Sequence, residues 1–99
     1  MAKLPKVKIG GHRYRVRYKN GIARHRGALG VSCGSKLSID LEPDLKRSQI
    51  NATFWHEVIE QVNDMHELEL SHSTITTLGE CLYQVLADNP RVVTEFSGR

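Results

Sequence analysis

The spacing of apolar residues changes once along the chain, at Pro43, and this change limits the folds that the sequence can adopt. Before Pro43, apolar residues alternate with polar ones, which is the period of a half-buried strand. After about Gln49 they recur every three or four residues, which is the period of an amphipathic helix. Strands followed by helices predict an α+β domain with a small antiparallel sheet against a helix pair.

The alternating half predicts four strands in two hairpins. Their ranges are Lys6–Ile9 and His12–Lys19, joined by Gly10-Gly11, then Ala28–Cys33 and Lys36–Leu41, joined by Gly34-Ser35. A polar, basic loop is expected over residues 22–27. The apolar faces of the last three strands are predicted to be Tyr14, Val16 and Tyr18; Leu29, Val31 and Cys33; and Leu37, Ile39 and Leu41.

The second half predicts two helices. The first runs from about Gln49 to about Met65 with Ser48 as its N-cap, and its apolar positions are Ile50, Phe54, Val58, Val62 and Met65. The second begins after Ser71 or Ser73 and ends at Asn89-Pro90, with a core stripe of Ile75, Leu78, Leu82, Val85 and Leu86. One domain is expected: a sheet part over 1–47, a helix pair over 48–90 and a tail over 91–99.

The 99 residues contain no apolar run long enough for a membrane span and no signal peptide, so a protein of the cytoplasm is expected. Cys33 and Cys81 are then expected to be free thiols. Charge is unevenly distributed: residues 1–50 carry 12 Lys and Arg against 3 Asp and Glu, whereas residues 51–99 carry 2 against 8. The basic half favours a solvated sheet face, or less strongly a nucleic-acid surface formed by Arg13, Arg15, Arg17, Arg24 and Arg26.

The strongest motif is His56-Glu57-Val58-Ile59-Glu60, a His-Glu-x-x-Glu sequence on the first predicted helix. Zinc peptidases carry His-Glu-x-x-His, in which two ligands lie one helical turn apart and the glutamate is the general base. A carboxylate also binds zinc, so Glu60 is an acceptable second ligand. His56, Glu60 and Asn63 lie on one face of the helix, opposite the apolar stripe, and Glu57 lies at the border between the two faces.

A catalytic zinc usually has three protein ligands. The second helix offers His72 in its first turn and Glu80 two turns later, and His66 is a weaker candidate on the first helix. Gly79 is also informative, because a glycine inside a helix often marks the close approach of another helix.

The chain resembles small phage and prophage proteins that have a short sheet followed by His-Glu-x-x-His or His-Glu-x-x-Glu. The resemblance covers roughly residues 7–90 and includes Leu68–His72 and the closing motif Leu82–Pro90. These proteins look like minimal members of the zincin class of metallopeptidases. The resemblance implies zinc bound by His56, Glu60 and His72, with Glu57 as the general base.

Three functions follow as hypotheses. The first is a zinc-dependent hydrolase, most simply a peptidase that holds an extended peptide along an exposed strand such as Lys36–Leu41. The second is a non-catalytic phage adaptor or binding protein with a structural or degenerate metal site. The third is a nucleic-acid binder that uses the arginine row of Arg13, Arg15 and Arg17.

Overall fold

The computed structural model describes residues 3–22 and 28–98. Its strands are β1 (Val7–Ile9), β2 (His12–Tyr18), β3 (Gly30–Cys33) and β4 (Ser38–Leu41). Its helices are α1 (Arg47–His66), α2 (His72–Asp88) and α3 (Pro90–Phe96). The α+β class is confirmed, as is the order of strands before helices. The predicted basic loop, with Arg24 and Arg26, falls largely on residues outside the described ranges.

The sheet has the order β1-β2-β4-β3 and is mixed rather than fully antiparallel. Both predicted hairpins form, because β1 pairs with β2 and β3 pairs with β4 in antiparallel fashion. The two hairpins then join through a parallel β2–β4 pair, with Val16 opposite Ile39. Periodicity alone does not reveal strand direction, and this is why the sequence predicted only antiparallel pairs. The pairing places β4 inside the sheet and leaves β3 at its edge.

The core lies between one face of the sheet and α1. Tyr14 is 1% exposed and Ile39 is fully buried. The predicted apolar stripe of α1 packs onto them, as the periodicity indicated: Ile50, Phe54, Val58, Val62 and Met65 all belong to this cluster. The helix begins at Arg47 rather than after Ser48, and the side-chain oxygen of Gln49 accepts a hydrogen bond from the Lys46 N–H.

The prediction that Leu29, Val31 and Cys33 form the inner face of β3 is wrong by one residue. Leu29 is 41% exposed, and the positions of β3 that face α1 are Gly30 and Ser32. A Cβ on Gly30 would come 2.7 Å from the methyl group of Thr53 in α1, so only glycine fits this approach. In a strand of period two, such a shift by one residue exchanges the two faces.

The core stripe predicted for α2 is also largely wrong. Ile75 is buried at 1% exposure, but Leu78, Leu82 and Val85 are 45%, 37% and 47% exposed. The helix packs on α1 through the side that carries Ile75 and Gly79, and no other described element covers the adjoining apolar side. Most of the predicted tail, from residue 91 to residue 96, belongs to α3, in which Val92 and Phe96 are exposed as well.

Candidate metal centre

Three predicted ligands meet where α2 crosses α1. His56 and Glu60 lie one turn apart on α1, and His72 is the first residue of α2. One potential ligand atom from each of these residues lies within 4.8 Å of the other two. The rings of His56 and His72 are in edge-to-face contact, with centroids 5.1 Å apart. Residues 16 positions apart in sequence are therefore brought together by the packing of two helices.

The turn between the helices fixes the position of His72. Glu67, the residue that follows α1, caps the helix in a left-handed conformation and donates its N–H to the carbonyl groups of Asn63 and Asp64. The side chain of Asn63 then accepts a hydrogen bond of 2.9 Å from the Leu70 N–H. Of the two predicted caps, Ser71 and Ser73, it is Ser71 that caps α2, since its hydroxyl oxygen accepts from the Thr74 N–H at 3.2 Å. Asn63, predicted to lie on the metal face, thus orders the connection that carries His72.

The donor set suits zinc. Two imidazoles and one carboxylate form the ligand inventory of many catalytic zinc sites, which keep a fourth position open. Ligand atoms in a tetrahedral zinc site lie about 3.3 Å apart, given metal–ligand distances of about 2.0–2.1 Å. The observed separations, up to 4.8 Å, therefore require a contraction of the order of 1.5 Å, which side-chain rotations can supply because His56 and Glu60 are half-buried and His72 is exposed.

Thr76 supports the site from α2. Its hydroxyl oxygen lies 3.5 Å from Nδ1 of His56, at the outer limit of a hydrogen bond. Histidines that bind metals usually have their second ring nitrogen held by such a group, which orients the ring. An interaction at Nδ1 leaves Nε2 of His56 available as a ligand atom. Thr76 could not be predicted as part of the site, because a threonine in a helix is common.

Glu57, the predicted general base, is buried at 7% exposure and faces the edge strand β3. Burial raises the pKa of its carboxyl group above the ordinary value, and the nearby charge of Glu60 acts in the same direction. Hydrogen bonds from the side chain and backbone of Ser32, together with the charge of His56, partly oppose this rise. The Glu57 carboxyl group therefore lies next to His56 and Glu60, and its hydrogen bonds come from β3.

Ser32 belongs to a hydrogen-bonded chain that starts in the core. The Tyr14 hydroxyl donates to Oε1 of Gln61 at 2.8 Å, and Nε2 of Gln61 donates to the Ser32 hydroxyl at 3.0 Å. Gln61 is only 3% exposed, so both polar ends of its amide are paired inside the protein. These hydrogen bonds connect β2, α1 and β3 next to Glu57. The sequence does not predict these hydrogen bonds, because the alternation of β3 places Ser32 on the outer face of the sheet.

An open cleft of about 650 Å³ is lined by the three candidate ligands together with Ser32 and Glu57. Helix α1 forms its floor, α2 forms one wall, and residues 28–32 at the sheet edge form the other. The strand predicted to hold a peptide, Lys36–Leu41, cannot do so, because β4 is paired with β2 on one side and with β3 on the other. The edge strand beside the cleft is β3.

The remaining predicted residues lie away from the ligand group. Glu80 lines the cleft but does not belong to the group of three ligand atoms, and His66 lies at the far end of α1. Arg13, Arg15 and Arg17 are exposed on the sheet face opposite α1. Cys33 and Cys81 are both free thiols, as predicted. No helix in the described ranges is both long and apolar enough to cross a membrane.

Comparison with known proteins adds no relative to these observations. No protein-family model, curated protein or solved structure matches the chain. The resemblance to small phage proteins of the zincin type therefore stays a prediction from the motifs.

Proposed function

We propose that the chain binds one zinc ion through His56, Glu60 and His72 and hydrolyses peptide bonds. The observation that supports this most is the convergence of one ligand atom from each residue to within 4.8 Å in a cleft that also contains Glu57. Chance placement of polar residues on one helix does not account for His72, which lies on a second helix. The resemblance adds a phage or prophage origin and a place of action in the cytoplasm of the bacterial host.

In this proposal Glu57 is the proton carrier of the cleft. Zinc, when bound, acts as a Lewis acid that polarises a carbonyl group and lowers the pKa of a water molecule. The Glu57 carboxylate accepts the proton of the attacking water and delivers it to the leaving amine. Its burial favours this role, because a carboxyl group with a raised pKa is a stronger base than a free one.

Glu60 is expected to lower the rate of peptide hydrolysis. A carboxylate in place of the usual second histidine places more negative charge at the metal, which makes the metal a weaker Lewis acid. We therefore expect turnover slower than that of a peptidase with two histidines in the motif. Zinc binding itself is less affected, because carboxylates are ordinary zinc ligands.

The proposed substrate is an extended peptide that adds to the outer edge of β3. This edge borders the cleft, and no other strand of the described chain pairs with it. Strand addition satisfies the backbone groups of both partners and requires little specificity from side chains. The strand has four residues, so it can align a peptide segment of about the same length.

The test is cleavage of an unfolded protein, such as reduced and alkylated casein, by the zinc-loaded chain. Glu57→Gln keeps the size of the side chain, and we expect it to retain zinc but lose activity by about 10²–10⁴-fold, the usual contribution of a general base. His66→Ala, a histidine outside the ligand group, is the matched control and should cleave as the parent does. A zinc-loaded parent without activity, or a Glu57→Gln variant of equal activity, would refute the hydrolase.

A second candidate function is a non-catalytic binding protein in which the metal has a structural role. The observation that favours it is the uncovered apolar surface of α2 and α3: Leu78, Leu82, Val85, Val92 and Phe96 are between 37% and 82% exposed. For such a protein, a chelator should lower the thermal unfolding temperature. Neither the parent nor Glu57→Gln should cleave peptide bonds. The hydrolase instead predicts activity that disappears with the chelator and with Glu57→Gln.

A further inference from the structure

We propose that the sheet face opposite α1 binds the phosphate backbone of nucleic acid. The face carries Lys8 on β1 and Arg13, Arg15 and Arg17 on β2, and these four residues are called the basic face below. All four are exposed, whereas the intervening Tyr14 and Val16 are buried on the other side. The proposal does not depend on zinc, because the metal cleft lies at the junction of α1, α2 and the edge of β3.

The strand register places these cations close to one another. Lys8 and Arg13 are directly opposite across the β1–β2 pair, so their Cβ atoms are about 4.5–5.5 Å apart. The three arginines follow one another along β2 at every second residue, a spacing of about 6.6–6.8 Å. Like charges directly opposite in a sheet destabilise it. A bound polyanion removes that repulsion.

A single carboxylate of the described strands lies on this face. Asp40 on β4 is paired with Arg17, with Nε to Oδ1 at 3.0 Å and a second contact to Oδ2 at 3.3 Å. This bidentate pair neutralises Arg17 and holds its guanidinium group in place. Arg13 and Arg15, which have no acidic residue opposite them in the register, supply the charge together with Lys8.

The side chains favour a phosphodiester backbone over an anionic membrane and over a base-reading site. Arginine presents a planar fork of donors that matches a phosphate, and two of the three cations that supply the charge, Arg13 and Arg15, are arginines. Membrane-surface segments combine cations with large apolar groups that enter the bilayer, and the basic face has no exposed aromatic or large aliphatic residue among its cations. It also presents no helix to a groove and no aromatic residue to a base, so binding should be independent of sequence.

The experiment is fluorescence anisotropy with labelled 20-base-pair duplexes of two unrelated sequences, measured from about 20 to 200 mM NaCl. We expect equal affinity for both duplexes and a logarithmic salt slope of about −3, because each phosphate contact contributes about −0.9. Arg13→Ala with Arg15→Ala should weaken binding about tenfold and reduce the slope by about 2. Both substitutions are at exposed positions, and circular dichroism checks that the fold is kept.

The matched control removes two cations elsewhere. Lys46, before α1, and Arg91, in α3, are both exposed and lie outside the sheet. Lys46→Ala with Arg91→Ala produces the same change in net charge and should leave affinity within twofold of the parent. The proposal is overturned by no binding at the lowest salt, by equal weakening in both double variants, or by anionic phospholipid vesicles that bind more tightly than DNA at equal phosphate concentration.

Discussion

Gly79 of α2 lies directly against the backbone of His56 in α1. A Cβ atom on Gly79 would be 3.0 Å from both N and Cα of His56 and 3.3 Å from its Cβ. Contacts this short are tighter than nine in ten Cβ contacts in proteins, so the absence of a side chain at Gly79 lets the two helices lie a few tenths of an ångström closer than a larger residue would allow. This distance in turn determines how near His72 comes to His56 and Glu60.

Gly79→Ala should therefore move α2 away from α1. Overpacking costs about 1–3 kcal/mol, and the better helix propensity of alanine returns about 1 kcal/mol. We expect a net loss of up to about 2 kcal/mol in the free energy of unfolding, measured with urea, and weaker zinc binding in calorimetry. Gly11→Ala is the control, because a Cβ at Gly11 has no atom within 4 Å. Unchanged zinc affinity in Gly79→Ala would contradict the role given to this contact.

The two sides of α2 should differ in their effect on stability. Ile75 is 1% exposed between α2 and α1, whereas Leu82 is 37% exposed on the apolar side that no described element covers. Ile75→Ala should lower the free energy of unfolding by about 2–5 kcal/mol. Leu82→Ala should change it by less than about 1 kcal/mol. Equal losses in urea unfolding would mean that a second molecule covers Leu82 in solution.

The ionisation of Glu57 should make the metal-free protein less stable as pH rises. Its pKa is raised in the folded state by burial, so the folded state binds the proton more tightly than the unfolded chain does. The contribution of this carboxyl group to stability is then fully present below the ordinary pKa of a glutamate, about 4.3, and is lost as pH rises through the raised value. Glu57→Gln removes the charge and retains a hydrogen-bonding side chain.

Urea unfolding of the two proteins in a chelator checks this expectation. Glu57→Gln should be more stable than the parent at neutral pH, and the difference should shrink towards about pH 4, where the glutamate is protonated as well. A constant difference across this range would show that the carboxyl group titrates normally in the folded state.

Part of this architecture follows from local pattern. The alternation in β2 predicted that Tyr14 and Val16 are buried, and the helical spacing in α1 predicted the stripe that packs on Ile39. Both segments are long enough for their period to be unambiguous. The same periodicity predicted that His56 and Glu60 share a face of α1.

The errors lie where local pattern does not determine packing. Strand β3 has four residues, two of them Gly30 and Ser32, so its apolar content did not identify the face towards α1. Which residues of β3 face α1 depends instead on the close approach of Gly30 to Thr53 and on the hydrogen bond between Ser32 and Gln61. Likewise, α2 has apolar residues on two sides, and only the tertiary contact at Gly79 decides which side is buried.

Zinc binding by isothermal titration calorimetry, on protein purified without a metal-affinity tag, tests the central claim most directly. One zinc per chain should bind to the parent, to His66→Ala and to Glu80→Gln, since those two residues lie outside the ligand group. His56→Ala and His72→Ala should each lose most of the affinity. Absence of zinc binding in the parent, or equal binding in all five proteins, would contradict a metal site formed by His56, Glu60 and His72.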